Sequence, residues 1–237
     1  MPPLQDRFEQ CMKPILLINP NTSVLTTQMM VDIARACLAN WPGGAPAIRG
    51  LTMPHGVPMI TEEADLQAAA HAVGELALTQ TELAADEVCG VIVAAFGDPG
   101  VAVLRQRLGV PVVGIGEAAM REAAQHGRRF GIATTTPSLA ASIEANVRQH
   151  GLAAAFSGVR FTSGDPQALG QQPAALQAAL ADAVAACIEI DHAQAVVIGG
   201  GPLGQAAQAL STRFDIPVMG PVPAACRSLL HRLASIR

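Results

Sequence analysis

The sequence has no tyrosine, one tryptophan and six phenylalanines among 237 residues, although half of the chain is hydrophobic. Small aliphatic side chains must therefore fill the core, which disfavours aromatic base-stacking surfaces and large antiparallel β folds. Charge is also scarce, and 15 basic against 19 acidic side chains give a formal net charge of −4. That balance offers no basic footprint for nucleic acid. No apolar run approaches the roughly 20 residues that a membrane-spanning helix needs. The most apolar helical stretch, Ala174 to Ile190, is broken by Asp182. Residues 1–12 carry charges, lack the apolar segment of a secretory signal and read as an irregular leader. The expected location is cytoplasmic. Five cysteines (Cys11, Cys37, Cys89, Cys187 and Cys226) are odd in number and widely spaced, with no C-x-x-C pair. Reduced, buried thiols without structural zinc follow.

What the chain does have is alternation. Short aliphatic runs near Ile15 to Asn19, Ile48 to Thr52, Gly90 to Ala95, Pro111 to Ile115, Arg129 to Thr134, Val159 to Thr162, Gln194 to Gly199 and Pro217 to Gly220 are separated by alanine-rich stretches of helical length. Such spacing predicts parallel β structure covered by helices. Asp98-Pro99, Thr136-Pro137 and Asp165-Pro166 each place a capping side chain before a proline suited to a first helical position. Gly109, Gly127 and Gly151 are placed to end helices.

The chain also repeats one design. Ile15 to Ser23 aligns with Phe130 to Ser138, each a strand ending in a polar, proline-containing turn, and Val91 to Gly97 aligns with Val196 to Pro202. Two four-stranded α/β halves explain this; one eight-stranded sheet is the alternative. Ligands of open α/β sheets sit beyond the carboxyl ends of strands, so the expected site is a cleft shared by the halves.

Four loops would meet there: Asn19 to Ser23, Phe96 to Gly100, Thr134 to Ser138 and Gly199 to Gly204. Each runs from a strand end to a helix start, so backbone N–H groups and short polar side chains converge in a way that suits a carboxylate or an imide oxygen. Simple helix capping is the plainer reading of Ser23, Asp98 and Thr136 taken singly. Gly199, Gly201 and Gly204 satisfy G-x-G-x-x-G, but nothing acidic follows Asp215, so the ribose partner of a dinucleotide site is missing. P-loop, H-E-x-x-H and G-x-S-x-G patterns are absent. Of the six histidines only His55, in the loop after the second strand, is placed for the cleft, while His126 and His150 suit helix C-termini. Glu117 opens a helix, where it could cap or contact ligand.

Ile18-Asn19-Pro20-Asn21-Thr22-Ser23, Phe96-Gly97-Asp98-Pro99-Gly100 and Val112-Val113-Gly114-Ile115-Gly116-Glu117-Ala118-Ala119 together resemble the aspartate/glutamate/hydantoin racemase family, in particular its hydantoin and allantoin branch. The likeness spans nearly everything from Lys13 onward. It implies two pseudo-symmetric α/β domains, each a four-stranded parallel sheet flanked by helices, with one interdomain site and neither metal nor organic cofactor. The boundaries expected are 13–115 plus 222–237 for the first domain and 116–221 for the second. Members use one cysteine per domain, a thiolate taking the α-proton and a thiol returning one from the opposite face. At the matching positions this chain has Ala95 and Gly200, neither of which can carry a proton. None of its five cysteines falls in a family loop, and Met219-Gly220-Pro221-Val222 replaces the acidic residue and glycine that often follow the last strand.

The resemblance and the loops together assign ligand contact to Asn19, Thr22, Phe96, Gly97, Thr135, Thr136 and Gly201. Asp98, His55 and Glu117 are the candidate replacement bases. The expected ligand is a small carboxylate, amide or cyclic ureide, and the expected assembly a homo-oligomer. Three functions stay open: a cofactor-independent enzyme acting beside a carbonyl without a thiol, including a decarboxylase or hydrolase on the same scaffold; a catalytically inactive binder of small carboxylates; and a structural subunit without ligand.

Overall fold

Continuous runs of branched aliphatics form the middle strands of two parallel sheets in the computed structural model, which describes residues 13–79 and 87–235. The first sheet has the order β2-β1-β3-β4, built from β1 (Ile15–Asn19), β2 (Ile48–Thr52), β3 (Gly90–Val93) and β4 (Val112–Gly114). The second, from β5 (Phe130–Thr134), β6 (Phe156–Phe161), β7 (Ala195–Ile198) and β8 (Val218–Met219), has the order β6-β5-β7-β8. The repeat in the sequence is thus a repeat of topology. All pairings are parallel, as strands joined by helical crossovers must be.

Every residue of β1, β3, β5 and β7 is buried, because helices cover both faces of each sheet. In the first half these helices are α1 (Val24–Leu38), α2 (Glu63–Thr79) and α3 (Val101–Arg107). Then come α4 (Ile115–Ala123), α5 (Ala140–Gln149), α6 (Pro166–Gly170), α7 (Pro173–Glu189), α8 (Gly204–Leu210) and α9 (Pro221–Ser235). Helix α9 returns to pack on α4, α1, β3 and β4, so the C-terminus ties the start of the second half to the first sheet.

Local chemistry explains most ends. Ser23 caps α1, its hydroxyl accepting the Thr26 N–H at 3.2 Å, and Asp165 caps α6 by accepting from Ala168 N at 2.8 Å. Two expectations need correction. Helix α3 begins at Val101 behind Gly100, whose φ is 79°, so Asp98-Pro99 does not open it; Asp98 caps another helix. Thr136 precedes a single 3₁₀ turn, Pro137–Leu139, and makes no capping hydrogen bond. Strand β6 starts earlier than Val159, where Phe156, Ser157 and Gly158 form a half-buried edge with a register shift against Phe130 and Gly131. Cys11 and the leader, residues 1–12, lie outside the described residues. Among the described residues no helix is long and apolar enough to cross a membrane.

Candidate functional site

The strand tips of both sheets close on one cavity of about 70 Å³. That is room for roughly five waters or a small ring. Asn21 comes from the loop after β1, Ala94, Ala95 and Phe96 from that after β3, Thr135 and Thr136 from that after β5, and Gly199, Gly200 and Gly201 from that after β7. Met59, Ile60, Leu66, Leu139 and Ile143 complete an apolar wall.

Each polar loop is pinned from behind. Asn19 is fully buried, and its amide nitrogen donates to Asn21 Oδ1 (2.7 Å), Thr27 Oγ1 (2.9 Å) and the Ser23 carbonyl (3.1 Å), while its oxygen accepts from Asn21 N (3.2 Å). Asn21 commits its own carboxamide oxygen to Asn19 and, at 3.0 Å, to Ser23 N, which leaves its NH₂ end for the cavity. Across the cleft the Thr134 hydroxyl donates to the Gly199 carbonyl at 2.5 Å and ties the last two loops together. Thr135, 3% exposed, lines the cavity, and among the described residues nothing hydrogen-bonds its hydroxyl. The wall therefore presents the buried hydroxyl of Thr135, that of the part-exposed Thr136 and the amide N–H pair of Asn21 within a mostly apolar surround. Among the described residues that line it there is no Asp, Glu, Lys, Arg, His or Cys.

A family model described as Asp/Glu/Hydantoin racemase matches residues 15–229. The chain belongs to that family. It is 28% identical to a hydantoin racemase of Paenarthrobacter aurescens over 214 residues, 90% of this chain and 88% of the relative. An allantoin racemase structure from Klebsiella pneumoniae superposes with a TM-score of 0.83 at 30% identity, covering 94% of this chain and 88% of that one. One from Pseudomonas fluorescens gives 0.83 at 28% identity, covering 93% and 92%. The two-sheet racemase-like α/β fold expected from the sequence is what the chain has.

Against this racemase fold the expected site residues divide. Phe96, Thr135, Thr136 and Gly201 line the cavity, as do Ala95 and Gly200. Asn19, Thr22 and Gly97 do not; Asn19 holds Asn21 in place, and Thr22 N donates to the Val57 carbonyl at 3.0 Å. The three candidate bases all lie off the cavity wall. His55 is exposed on its loop. The Asp98 carboxylate turns away to accept from Gly116 N (2.8 Å) and Glu117 N (2.6 Å), capping α4; burial pushes its pKa up to about 6 against those hydrogen bonds. Glu117, with a side chain 6% exposed, accepts from Arg105 (2.6 Å) and Arg121 (2.9 Å), and Arg232 stands 3.7 Å away. Burial alone would raise its pKa, but the two arginine hydrogen bonds prevail and hold it below the usual carboxylate range. His150 lies between the two carboxylates, 3.9 Å from Asp98 and 4.0 Å from Glu117, and burial lowers its pKa.

The apolar wall is what sequence reasoning missed. Nothing in the sequence around Met59, Ile60 and Leu66 marks them as cavity residues, and Asn21 shares a motif with Asn19 that gives no sign of which of them turns inward.

Proposed function

We propose that the cavity holds a small carboxylate or cyclic ureide by its carbonyl oxygen, and that the chain is a cofactor-independent enzyme acting at the neighbouring carbon without a thiol. The observation that carries this reading is the wall itself. The Asn21 amide, the Thr135 hydroxyl and loop backbone converge on it, and Ala95 and Gly200 stand where the family resemblance puts cysteine. Donors aimed at a carbonyl stabilise the enolate charge that grows as the adjacent proton leaves, and the apolar surround strengthens them. Of the three glycines at 199–201, Gly200 is the one where a side chain fits. A Cβ there meets only the flexible Leu203 side chain, whereas at Gly201 it meets the Ala94 carbonyl oxygen at 2.9 Å. With Asp98, His55 and Glu117 engaged or exposed elsewhere, water admitted to the cavity takes the α-proton, the C–H electron pair passes into the planar enolate, and the hydronium so formed or a second water returns a proton to the same carbon.

The absence of a titratable side chain among the described residues of the lining favours a second reading, a binder that retains the ligand and has lost the reaction. Exchange of the α-proton of hydantoins, allantoin and aspartate in heavy water, run beside thermal-shift titration with the same compounds, separates the two. Exchange with stabilisation supports the enzyme, and stabilisation alone supports the binder. A chain that none of these compounds stabilises refutes both. Installing Ala95→Cys together with Gly200→Cys should raise exchange by orders of magnitude, as two thiols placed on one enolate would.

A further inference from the structure

Helices α4 and α9 pack against each other, and both lend side chains to a groove beside their contact. On α9 the apolar positions Val222, Cys226, Leu229 and Leu230 are buried, while Ser228, Arg232 and Ser235, spaced four and three apart, share a neighbouring face that lines the groove. Arg121 and Glu122 reach it from α4, and Arg128 from the segment that follows. The groove spans about 790 Å³, opens to solvent and shares no described lining residue with the cavity.

We infer that this groove is a binding site for a small molecule carrying a pyrophosphate group, free or as part of a nucleoside diphosphate, held by the guanidiniums of Arg121, Arg128, Arg227 and Arg232.

Positive charge outruns its partners here. Glu122 accepts from Arg227 at 2.7 and 3.0 Å and neutralises it. Glu117 has to serve three guanidiniums, with Arg105 at 2.6 Å, Arg121 at 2.9 Å and Arg232 at 3.7 Å. Arg128 spends two nitrogens on the carbonyls of Ala123 (3.0 Å) and Glu122 (2.8 Å), and pairs with no carboxylate among the described residues. Five guanidiniums thus meet two carboxylates, and three positive charges are left over beside a space with room for a ligand. In a chain whose formal net charge is −4, this is a local reversal of sign.

The donors are also held in place and only partly used. Arg121 gives Glu117 its Nε, and Arg227 gives Glu122 its Nε and Nη2, so Nη groups of both remain for a ligand. The side chains of Arg121, Arg227 and Arg232 are no more than half exposed, which lowers the entropy lost on binding. Planar forks of this kind match phosphate oxygens two at a time. A single phosphate, with a charge of roughly −1.5 to −2, would leave part of the excess unmet, and two joined phosphates carry more. Because Glu117 opens the helix that Asp98 caps, the groove and the cavity loop are joined through α4.

Calorimetric titration of the full chain at low salt, without divalent cations, tests this with sodium pyrophosphate, ADP, citrate and inorganic phosphate. Pyrophosphate and ADP should each bind once per chain, at least about tenfold more tightly than phosphate, and sodium chloride at about 0.3 M should weaken both several-fold. ADP binding tighter than pyrophosphate marks the nucleoside diphosphate as the ligand, and the reverse order marks the free anion. Arg232→Gln should weaken binding about tenfold, and Arg232→Lys should recover part of that loss. Ser228→Glu removes no described hydrogen bond and sets a carboxylate in the groove, so it should weaken binding as much while the melting temperature stays near the native value. Failure of both pyrophosphate and ADP to bind at about 1 mM overturns the proposal, as does citrate binding tightest, or an affinity that Arg232→Gln and Ser228→Glu both leave unmoved. If neither anion binds and Ser228→Glu lowers the mass in sedimentation, the groove is an interface between copies of the chain and the proposal falls.

Discussion

The carboxylate of Asp98 sits over the start of α4, taking the N–H of Gly116 and that of Glu117 on its two oxygens at 2.8 and 2.6 Å. The contact is possible because residues 114 and 116 are glycines. A Cβ on Gly114 would overlap the Asp98 carboxyl group. Two motifs far apart in the chain are thus halves of one joint, which fixes the loop that carries Ala95 and Phe96 into the cavity. Asp98 itself has φ 54°, a left-handed conformation that Asp and Asn tolerate.

Asp98→Asn keeps that backbone but loses the titration. In the native chain burial raises the Asp98 pKa from 3.8 to about 6, so the folded state holds the proton more tightly than the unfolded one. Its contribution is then full below pH 3.8 and is lost as the pH rises through 6. The stability gap between native and variant should narrow over that interval by on the order of 3 kcal/mol. Urea unfolding at closely spaced pH values measures it. A gap that widens with pH would show that the two N–H bonds outweigh burial.

Glu117→Gln tests the opposite sign. Here Arg105 and Arg121 hold the carboxyl pKa below its ordinary 4.5, so the contribution is present above 4.5 and fades as the pH falls through the lower folded value. At pH 7 the variant leaves Arg105, Arg121 and Arg232 facing one another around an uncharged amide, and should lose roughly 1–3 kcal/mol in urea melts. The loss should shrink in acid. Equal losses at pH 7 and pH 3 would mean that packing, not charge, explains it.

The strands were legible because a strand covered on both faces is a continuous apolar run, as at Ile15 to Ile18 and Val91 to Val93. The start of β6 was not, because a half-buried edge carrying Ser157 and Gly158, the latter at φ 137°, lacks that signature. Asp98 read as a cap, correctly in kind, yet the helix it caps follows β4. Only the pairing of β3 with β4 brings the two together, and sheet order is not written in local sequence. Asn19 and Asn21 are both amides in one turn; the hydrogen bonds to Thr27 and Ser23 decide that Asn19 is the support and Asn21 the wall. The bases expected to reach the ligand were chosen by residue type, and burial partners that sequence does not show claimed two of them.

Gly200→Ala and Gly201→Ala should part company. At 200 the added methyl meets Leu203 Cγ and Cδ1 at 3.0 Å, and that side chain can rotate aside. At 201 it meets Met30 Sδ at 2.6 Å and the Ala94 backbone, which cannot yield without moving β3 from its loop. Gly201→Ala should cost about 1–3 kcal/mol, and Gly200→Ala less than about 1. Thermal melts of the two single variants decide, and equal losses would contradict the packing of Met30 on this loop.

Thr135→Val is the cleanest probe of the cavity. Valine keeps the branched shape in a site that is 3% exposed, and the lost hydroxyl has no described protein partner to leave stranded, so stability should change by less than about 1 kcal/mol. Ligand affinity should not be spared. A hydroxyl donating to a carboxylate or polarised carbonyl contributes roughly 1–3 kcal/mol in a surround this apolar, equivalent to a loss of about tenfold or more. Calorimetric titration with hydantoin, allantoin and aspartate reads that loss, using whichever of them the native chain binds. If the valine variant bound as tightly as the native chain, Thr135 would be a wall residue and the carbonyl oxygen would rest on Asn21, Thr136 and backbone.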